Sequence, residues 1–190
     1  MSIVSPLYIL RGTAVALLLC LTAPWAGAAE LRGGGTARAV KVIDGDTLVL
    51  DDGREVRLVG IQAPKLPLGR PNFPTWPLAE ESKRALEQVA GGKNLSLRYG
   101  GREIDRNDRA LAHLYVEGHA GDNAARWVQG ELLRRGLARV YTFADNRALA
   151  AELLAAERVA REGRRGIWAL PYYRVRDAVA DATELSKSAD

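Results

Sequence analysis

The fold is decided between residues 40 and 64, which have the sequence VKVIDGDTLVLDDGREVRLVGIQAP. Apolar and β-branched residues dominate it, and two turns, Asp44-Gly45-Asp46 and Asp51-Asp52-Gly53, interrupt the apolar runs. Asp-Gly pairs between such runs favour tight hairpins. The stretch therefore predicts three consecutive antiparallel strands, the third of them from Glu55 to Ile61.

Beyond this meander, the sequence predicts two further strands and three helices. The expected strands are Asn94–Tyr99 and Ala110–Val116, and the expected helices run from Pro77 to about Val89, from Asp122 to about Arg135, and from Asp145 to about Gly163. The last helix is expected to run through Leu149, Leu153, Leu154 and Val159. Five strands with one helix after the third and two at the end predict an α+β fold, a five-stranded Greek-key barrel of the OB type.

Composition divides the chain into four segments. Residues 1–28 carry one charged side chain, Arg11, before an apolar core that ends at Ala26-Gly27-Ala28. This pattern is typical of a secretory signal cleaved after Ala28, and an uncleaved membrane anchor is the alternative. Residues 29–36 are expected to be a linker, 37–170 the folded domain and 171–190 a polar tail. We expect an exported monomer, periplasmic or secreted, without stable membrane association after cleavage.

The overall composition narrows the protein class but does not define a function. With 190 residues, 47% of them apolar and 26% charged, the chain supports one domain of ordinary size. Its single Cys excludes an internal disulfide, and no Cys/His cluster has zinc-ligand spacing. Collagen, coiled-coil and wholly disordered classes are excluded. A net charge of +4 does not by itself imply a nucleic-acid partner.

Acidic and basic side chains at the predicted strand ends are the candidates for metal binding and phosphate binding. Asp44 and Asp46 flank a glycine at the end of a strand, where they can present oxygens to a hard cation such as calcium. Arg57 and Arg109 project from predicted strands and can fork onto phosphate oxygens. Taken singly, each pattern also fits a plain turn or a solvated strand residue.

A long loop over residues 63–77 holds five of the eight prolines and includes Lys65. Loops of this length usually carry function.

The order of these residues resembles the staphylococcal nuclease (thermonuclease) family from about Ala37 to Trp168. The matching landmarks are Val42–Thr47, Arg57–Ile61, Ala63-Pro64, Asp105, Arg109–Ala112, Gly136–Val140 and Gly166–Trp168. The resemblance implies hydrolysis of DNA and RNA with one calcium ion, two phosphate-binding arginines and a glutamate proposed as general base. It assigns Asp46 to calcium, Arg57 and Arg109 to phosphate, and Asp44 to the neighbourhood of the metal.

This sequence departs from the family pattern at the metal site. Gln62 stands where the family has a second calcium aspartate, Lys65 where it has the glutamate, and Asn107-Asp108 where Tyr-Gly precedes the second arginine. The side-chain carbonyl of Gln62 and the backbone oxygen of Ala63 remain candidate calcium ligands.

The ammonium of Lys65 opposes calcium binding. At ~4 Å and an effective dielectric of ~20, one pair of unit charges is worth about 4 kcal/mol, and a lysine in place of a glutamate reverses its sign. Calcium affinity is therefore expected to fall by orders of magnitude unless Glu80 or Glu81 reaches the site. The first turn of a helix is the ordinary place for both of these carboxylates.

Arg57, Arg109 and Lys65 opposite Asp46 predict an anion pocket in which the ammonium takes part of the metal's electrostatic role. Three functions are open: an exported nuclease with weakened or altered hydrolysis, a catalytically inactive module that binds nucleic acid or another polyanion, and a periplasmic scaffold that binds protein. The expected partner of the first two is DNA or RNA, with single strands favoured.

The remaining candidates have weaker signals. His113 is expected to be a half-buried strand residue, and His119 a solvent-facing residue in a Gly-rich turn. Four aromatic residues fit either base stacking or core packing, and three basic residues fit either a basic rim or a solvated face. These residues are Trp76, Tyr99, Tyr115 and Tyr141, and Lys93, Arg98 and Arg102.

Overall fold

The computed structural model of the chain describes residues 31–118 and 125–173. Within them the strands are β1 Arg32–Asp44, β2 Thr47–Leu50, β3 Glu55–Leu58, β4 Ile61–Gln62, β5 Asn94–Tyr99, β6 Ala110–Val116, β7 Arg126–Trp127 and β8 Arg139–Val140. The helices are α1 Ala79–Ala90, α2 Val128–Arg134 and α3 Ala150–Glu162, followed by 3-10 helices at Gly166–Ala169 and Pro171–Tyr173.

Five of the strands close into a barrel. The long strand β1 pairs antiparallel with both β2 and β5, β2 pairs with β3, and β5 pairs with β6. A parallel ladder between β3 and β6 closes the cylinder, with Val56 opposite Ala110 and Leu58 opposite Ala112. These residues are buried and point into the core. The predicted α+β barrel of the OB type is therefore confirmed.

The helices cover the open side of the barrel. Helix α1 buries Leu86 and Val89 and packs against β1, while α2 packs between α3 and β6. A buried amide fixes α2 to the barrel: the side-chain oxygen of Gln129 accepts from Leu114 N–H at 3.1 Å, and its nitrogen donates to the Ala112 carbonyl at 2.9 Å. No helix in the described ranges has the length and apolar content needed to cross a membrane.

Two helices begin later than predicted. Helix α1 begins at Ala79 rather than Pro77, and α3 begins at Ala150 rather than Asp145, because left-handed residues precede them. Leu78 has a φ of 65° and Leu149 a φ of 58°. Leucine rarely takes this conformation, so sequence propensity gives no warning of it.

The apolar residues along α3 do not all face the core. Leu153 is buried, but Leu154 and Val159 are 54% and 42% exposed. Small residues, Ala156 and Ala160, take the core positions instead. They lie three and seven positions after Leu153, as expected for one face of a helix.

Two further segments differ from the prediction. The third strand, expected from Glu55 to Ile61, is divided into β3 and β4 by a turn at Val59-Gly60. Trp127, expected in a helix starting at Asp122, lies in β7 opposite Tyr115, and α2 starts after it. The expected helix start at Asp122 lies outside the described residues.

The predicted linker is incorrect over its described part. Residues 32–36 belong to β1, with Arg32 opposite Tyr99 and Thr36 opposite Ser96, because backbone pairing to β5 needs no side chains from the glycines. Pro171–Tyr173, assigned to the tail, form a 3-10 helix, and the Tyr173 hydroxyl donates to the Pro77 carbonyl at 2.7 Å. The expected signal at 1–28 and the tail from 174 onward lie outside the described residues.

Candidate functional site

Asp46 is the centre of the site, in the turn between β1 and β2. Its carboxylate is fully buried. Oδ1 accepts from the Thr47 hydroxyl at 3.2 Å, and Oδ2 accepts from Ala63 N–H at 2.7 Å. Asp44, also buried, accepts from the Asp46 N–H at 3.0 Å. Burying two carboxylates this close requires cationic partners.

Gly45 allows the turn to approach α1 and the 63–77 loop closely. A Cβ at this position would lie 2.6 Å from the Ser82 Cβ and 2.7 Å from the Ala63 Cβ. Real Cβ atoms do not come so close to carbon. Any other residue here would push Asp44 and Asp46 away from α1 and from Ala63.

Lys65 supplies the first cation. Its Nζ lies 2.9 Å from Oδ1 and 2.8 Å from Oδ2 of Asp46, and 3.6 Å from Oδ2 of Asp44. The Lys65 ammonium therefore contacts both oxygens of the Asp46 carboxylate and lies near the carboxylate of Asp44.

Arg57 supplies the second cation. Its Nη1 is 3.1 Å from Asp46 Oδ2, and its guanidinium donates to the backbone carbonyls of Asp46 (3.3 Å), Leu58 (3.1 Å) and Ile61 (2.8 Å). These bonds use Nη1 and one proton of Nη2. Nε–H has no acceptor among the described residues, and Nη2 has one acceptor, the Ile61 carbonyl, for its two N–H groups. Nε–H and one of the two Nη2–H groups share one side of the planar group. We call this side the open edge of Arg57.

The cations set the protonation of the two carboxylates. Burial alone would raise the pKa of Asp46, but the charges of Arg57 and Lys65 and the hydrogen bonds from Lys65 and Ala63 lower it. The pKa of Asp44 is raised, first by burial and then by the neighbouring charge of Asp46, with Lys65 opposing both. Asp46 is thus the carboxylate held in the charged form.

Arg109 immediately precedes β6 and lies two positions before Leu111, which is opposite Arg57 in the β3–β6 ladder. Its guanidinium nevertheless bonds Asp105, with Nε at 2.9 Å and Nη2 at 2.7 Å from Oδ2. The described contacts do not join Arg109 to Asp46 or Lys65. The structure therefore brings together Arg57, Lys65 and Asp46 and leaves Arg109 in its own ion pair.

The segment before Arg109 explains one departure from the family pattern. Asp108, where the resemblance places a glycine, has a left-handed φ of 58°. Aspartate tolerates this conformation better than most residues. Oδ1 of Asp105 accepts from the N–H groups of Asn107 and Arg109, which holds the turn. The turn before the second arginine thus keeps a left-handed residue without a glycine.

Gln62 does not face Asp46 with its side-chain oxygen. In the β4–β8 pair it lies opposite Arg139, whose Nε and Nη2 donate to Gln62 Oε1 at 3.0 and 2.6 Å. Sequence reasoning missed Arg139, although it falls within the Gly136–Val140 landmark. The expectation that Gln62 offers a free carbonyl to a metal is not met.

The described residues do not fit calcium, which takes six to eight oxygen ligands. Glu80 and Glu81 are exposed, and Glu81 pairs with Arg84 at 3.2 Å. Across residues 31–118 and 125–173, no group of three or more His, Cys, Asp or Glu side chains is placed to hold a metal. The ammonium of Lys65 already contacts both oxygens of Asp46.

The aromatic candidates divide by burial. Tyr99 is buried in the core, so of the two alternatives left open for it the structure shows core packing. Tyr115 is half-buried and stacks on Trp127. Tyr141 is exposed and packs edge-to-face on Phe143 at 5.0 Å. Trp76 is half-buried in the 63–77 loop.

The basic and histidine candidates have mainly structural contacts. Lys93 donates to the Gln88 and Val89 carbonyls at the end of α1, and Arg102 donates to the Ile104 carbonyl. Arg98 is exposed. His113 is 1% exposed, more buried than predicted. His119 lies outside the described residues.

The fold and site together are an OB-type barrel with an Asp–Lys–Arg cluster, centred on the buried Asp46, at a turn between two of its strands. A family model described as "Staphylococcal nuclease homologue" matches residues 55–170, more than half of the chain. The chain belongs to this family.

Individual relatives agree with this assignment. The chain is 26% identical to "Thermonuclease" of Staphylococcus hyicus, over 70% of this chain and 75% of that protein. It is 34% identical to "Endonuclease YncB" of Bacillus subtilis (strain 168), over 70% of this chain and 61% of the relative. It is 32% identical to "Protein ParB" of Escherichia coli, over 86% of this chain and 85% of that one.

Proposed function

We propose that the protein is an exported nuclease that acts on nucleic-acid phosphodiesters, with hydrolysis that is weak and independent of calcium. The observation that carries the proposal is the open edge of Arg57, on a guanidinium that shares the Asp46 carboxylate with the ammonium of Lys65. A guanidinium edge with two parallel N–H groups matches two oxygens of a phosphate. Membership of the nuclease family supports a nucleic acid as the source of that phosphate.

The geometry supports stabilisation of a phosphoryl transition state. Three backbone carbonyls hold Arg57, so its open edge is fixed before a substrate arrives. A fixed donor pair stabilises the negative charge that develops on phosphoryl oxygens without reorganising. Lys65 adds positive charge where the resemblance implies calcium.

The slow rate follows from the absence of a general base. Among the described residues, the carboxylate in contact with Arg57 is that of Asp46, and both it and the neighbouring Asp44 are engaged with Lys65 or with the turn backbone. A positioned general base contributes about 10²- to 10⁴-fold to a rate. We expect the rate to be lower than that of a glutamate-containing relative by a factor of this order.

The contact between Lys65 and Asp46 also favours a second candidate, a catalytically inactive module that binds nucleic acid or another polyanion. In that case binding would persist in chelator and weaken as salt increases, because it rests on charge–phosphate contacts.

Export is part of the proposal and has its own test. The apolar core of residues 1–28 and its Ala-x-Ala end support cleavage after Ala28. Intact mass of the protein recovered from the periplasm or medium of a producing bacterium should correspond to a chain that begins at Ala29. A full-length chain retained in the membrane fraction would contradict cleavage and support the anchor.

The experiment on activity uses the purified full-length chain with end-labelled single-stranded DNA and RNA, in calcium and in chelator. The unsubstituted protein should cleave slowly and equally in both. Arg57→Lys keeps the charge but loses the two-pronged edge, and Arg57→Ala loses both, so each should lower cleavage at least tenfold. Arg84→Ala, an exposed arginine on α1, is the matched control and should leave the rate unchanged.

A double variant tests the role of the two departures from the family. Gln62→Asp with Lys65→Glu should gain cleavage that depends on calcium. No cleavage by the unsubstituted chain above Arg57→Ala would reject the nuclease; salt-sensitive binding that persisted in chelator would then support the binding module. Loss of both cleavage and binding would reject both candidates.

A further inference from the structure

The 63–77 loop is folded back on itself and is attached directly to the cluster at Asp46. Trp76 N–H donates to the Lys65 carbonyl at 3.0 Å, so the far end of the loop lies beside its beginning. Within the loop, Arg70 N–H donates to the Pro67 carbonyl at 3.0 Å, and the Arg70 side chain donates to the Leu66 and Pro67 carbonyls. The loop therefore holds a defined shape without a helix or strand of its own.

A row of rings and one cation lies along this loop. The Arg70 guanidinium lies 3.6 Å from the centroid of Phe73. The Phe73 and Trp76 rings are near-parallel, at 19° and 6.3 Å between centroids, and Trp76 meets Tyr172 edge-on at 6.4 Å. Tyr172 comes from the last 3-10 helix and is 61% exposed, while Phe73 and Trp76 are half-buried. We call Phe73, Trp76 and Tyr172 together with Arg70 the aromatic platform.

The platform combines two features that bind an unpaired nucleotide, namely aromatic rings for the base and a positive charge for the phosphate. Tyr172 is 61% exposed and offers a ring on which bases of any sequence stack, and the half-buried rings of Trp76 and Phe73 continue the row beside it. Arg70 is exposed and makes no ion pair with a carboxylate of the described residues, so its charge remains available to a phosphate. An apolar protein surface would pack on the rings but would gain no binding energy from the unpaired charge of Arg70. The charge therefore favours a polyanion that also has aromatic rings, as a nucleic acid has in its bases.

We propose that the aromatic platform binds unpaired bases of single-stranded nucleic acid whose backbone passes Lys65 and the open edge of Arg57. This inference rests on the proposed function, because it takes the same ligand, and it adds where the bases lie and why single strands are selected. Bases in a duplex are already stacked on each other and present no free face. The platform therefore predicts tighter binding of single strands than of duplexes of the same sequence.

The experiment measures binding of the full-length chain to a fluorescent single-stranded oligonucleotide, an abasic oligonucleotide of equal length and the matching duplex, before cleavage proceeds. Phe73→Ala and Tyr172→Ala should each weaken single-strand binding about fivefold or more, the lower end of base–aromatic stacking. Neither should change binding of the abasic strand, which retains the phosphates. Leu154→Ala on α3 removes an exposed apolar side chain elsewhere and should have no effect.

Conservative variants separate stacking from damage to the loop. Tyr172→Phe and Trp76→Phe keep a ring and should keep the affinity, and the quenching of tryptophan fluorescence by the oligonucleotide should shrink in Trp76→Phe. Equal binding by the alanine variants, or equal losses on the abasic strand, would overturn the platform and leave the proposed function standing. No binding of any oligonucleotide by the unsubstituted chain would overturn both.

Discussion

The contact between Lys65 and Asp46 shows how one side chain supplies positive charge that a buried acidic turn requires. Two buried carboxylates in one turn repel each other, and they persist only if positive charge is supplied. Here the positive charge comes from the chain, through Lys65 at 2.8 Å and Arg57 at 3.1 Å from the same oxygen of Asp46. The turn is therefore balanced without any ion from solution.

His113 is a second buried ionisable residue, and it predicts how stability depends on pH. Its ring is covered by Trp127 at 5.7 Å, its Nδ1 has no partner among the described residues, and burial lowers its pKa from 6.5 to about 4. Because the folded pKa lies below the unfolded one, stability is full above about pH 6.5 and falls as pH decreases to about 4. The loss is about 3 kcal/mol.

The measurement is the free energy of urea unfolding at several pH values between 4 and 7, for the unsubstituted chain and for His113→Phe. The phenylalanine variant should lose most of the decline in this window, since a ring of similar shape no longer titrates. Parallel curves for the two proteins would show that His113 does not control this transition.

At this scale, the sequence predicted the contacts that are local and missed those that are distant. Asp46, Arg57 and Lys65 lie within 20 residues of each other, and the β2–β3 hairpin, with Thr47 opposite Arg57, brings Arg57 close to the Asp46 turn. The partner of Gln62 is Arg139, 77 positions away, and only the pairing of β4 with β8 reveals it. Arg109 was expected to face the acid, but Asp105 at i−4 competes for its guanidinium.

At the scale of elements, the end of α2 and the start of the first 3-10 helix depend on two glycines in contact. Gly136 and Gly166 have φ values of 69° and 53°, and Ile167 N–H donates to the Gly136 carbonyl at 2.8 Å. A Cβ on Gly136 would overlap the backbone carbonyl of Arg165. This contact connects the segment after α3 to the turn between α2 and β8.

Gly136→Ala should therefore destabilise the protein strongly, by about 3 kcal/mol or more, from left-handed strain and backbone overlap together. Gly53→Ala is the matched control, because Gly53 has a φ of 86° with nothing within 4 Å of an added Cβ. Gly53→Ala should lower the free energy of unfolding by only about 1–2 kcal/mol, because it adds the left-handed strain without any overlap. Urea unfolding of the two variants measures the difference, and equal losses would contradict a role for the overlap.

Element boundaries were harder to predict than element types. The strands Asn94–Tyr99 and Ala110–Val116 have the predicted bounds because the first alternates apolar and polar residues and the second is an almost continuous apolar run. Helix starts were wrong at Leu78 and Leu149, where a leucine takes a left-handed conformation that its own preference opposes.

At the scale of the whole molecule, barrel and helices share one core. The same cluster of buried residues includes Leu58 and Leu114 of the barrel, Leu86 of α1, Leu132 of α2 and Leu153 of α3. The sequence predicted this overall architecture because five strands and three helices of this order leave few ways to bury their apolar faces.

A shared core predicts a single cooperative unfolding transition. Tryptophan fluorescence reports on contacts such as that of Trp127 with Tyr115, whereas far-ultraviolet circular dichroism reports mainly on the helices. The two signals should give the same urea midpoint within error. Helices that melt at lower urea than the fluorescence transition would contradict a single cooperative unit.

The parallel ladder between β3 and β6 has a consequence for the order of assembly. Val56 and Ala110 are neighbours across it although the chain between them contains β4, the 63–77 loop, α1 and β5. Closing so long a segment costs entropy before any contact across the ladder is gained. On the ribosome, the meander of β1 to β3 is translated before β6, so the barrel cannot close until translation reaches β6. Until then the Asp46 turn and its three charged neighbours are only partly assembled.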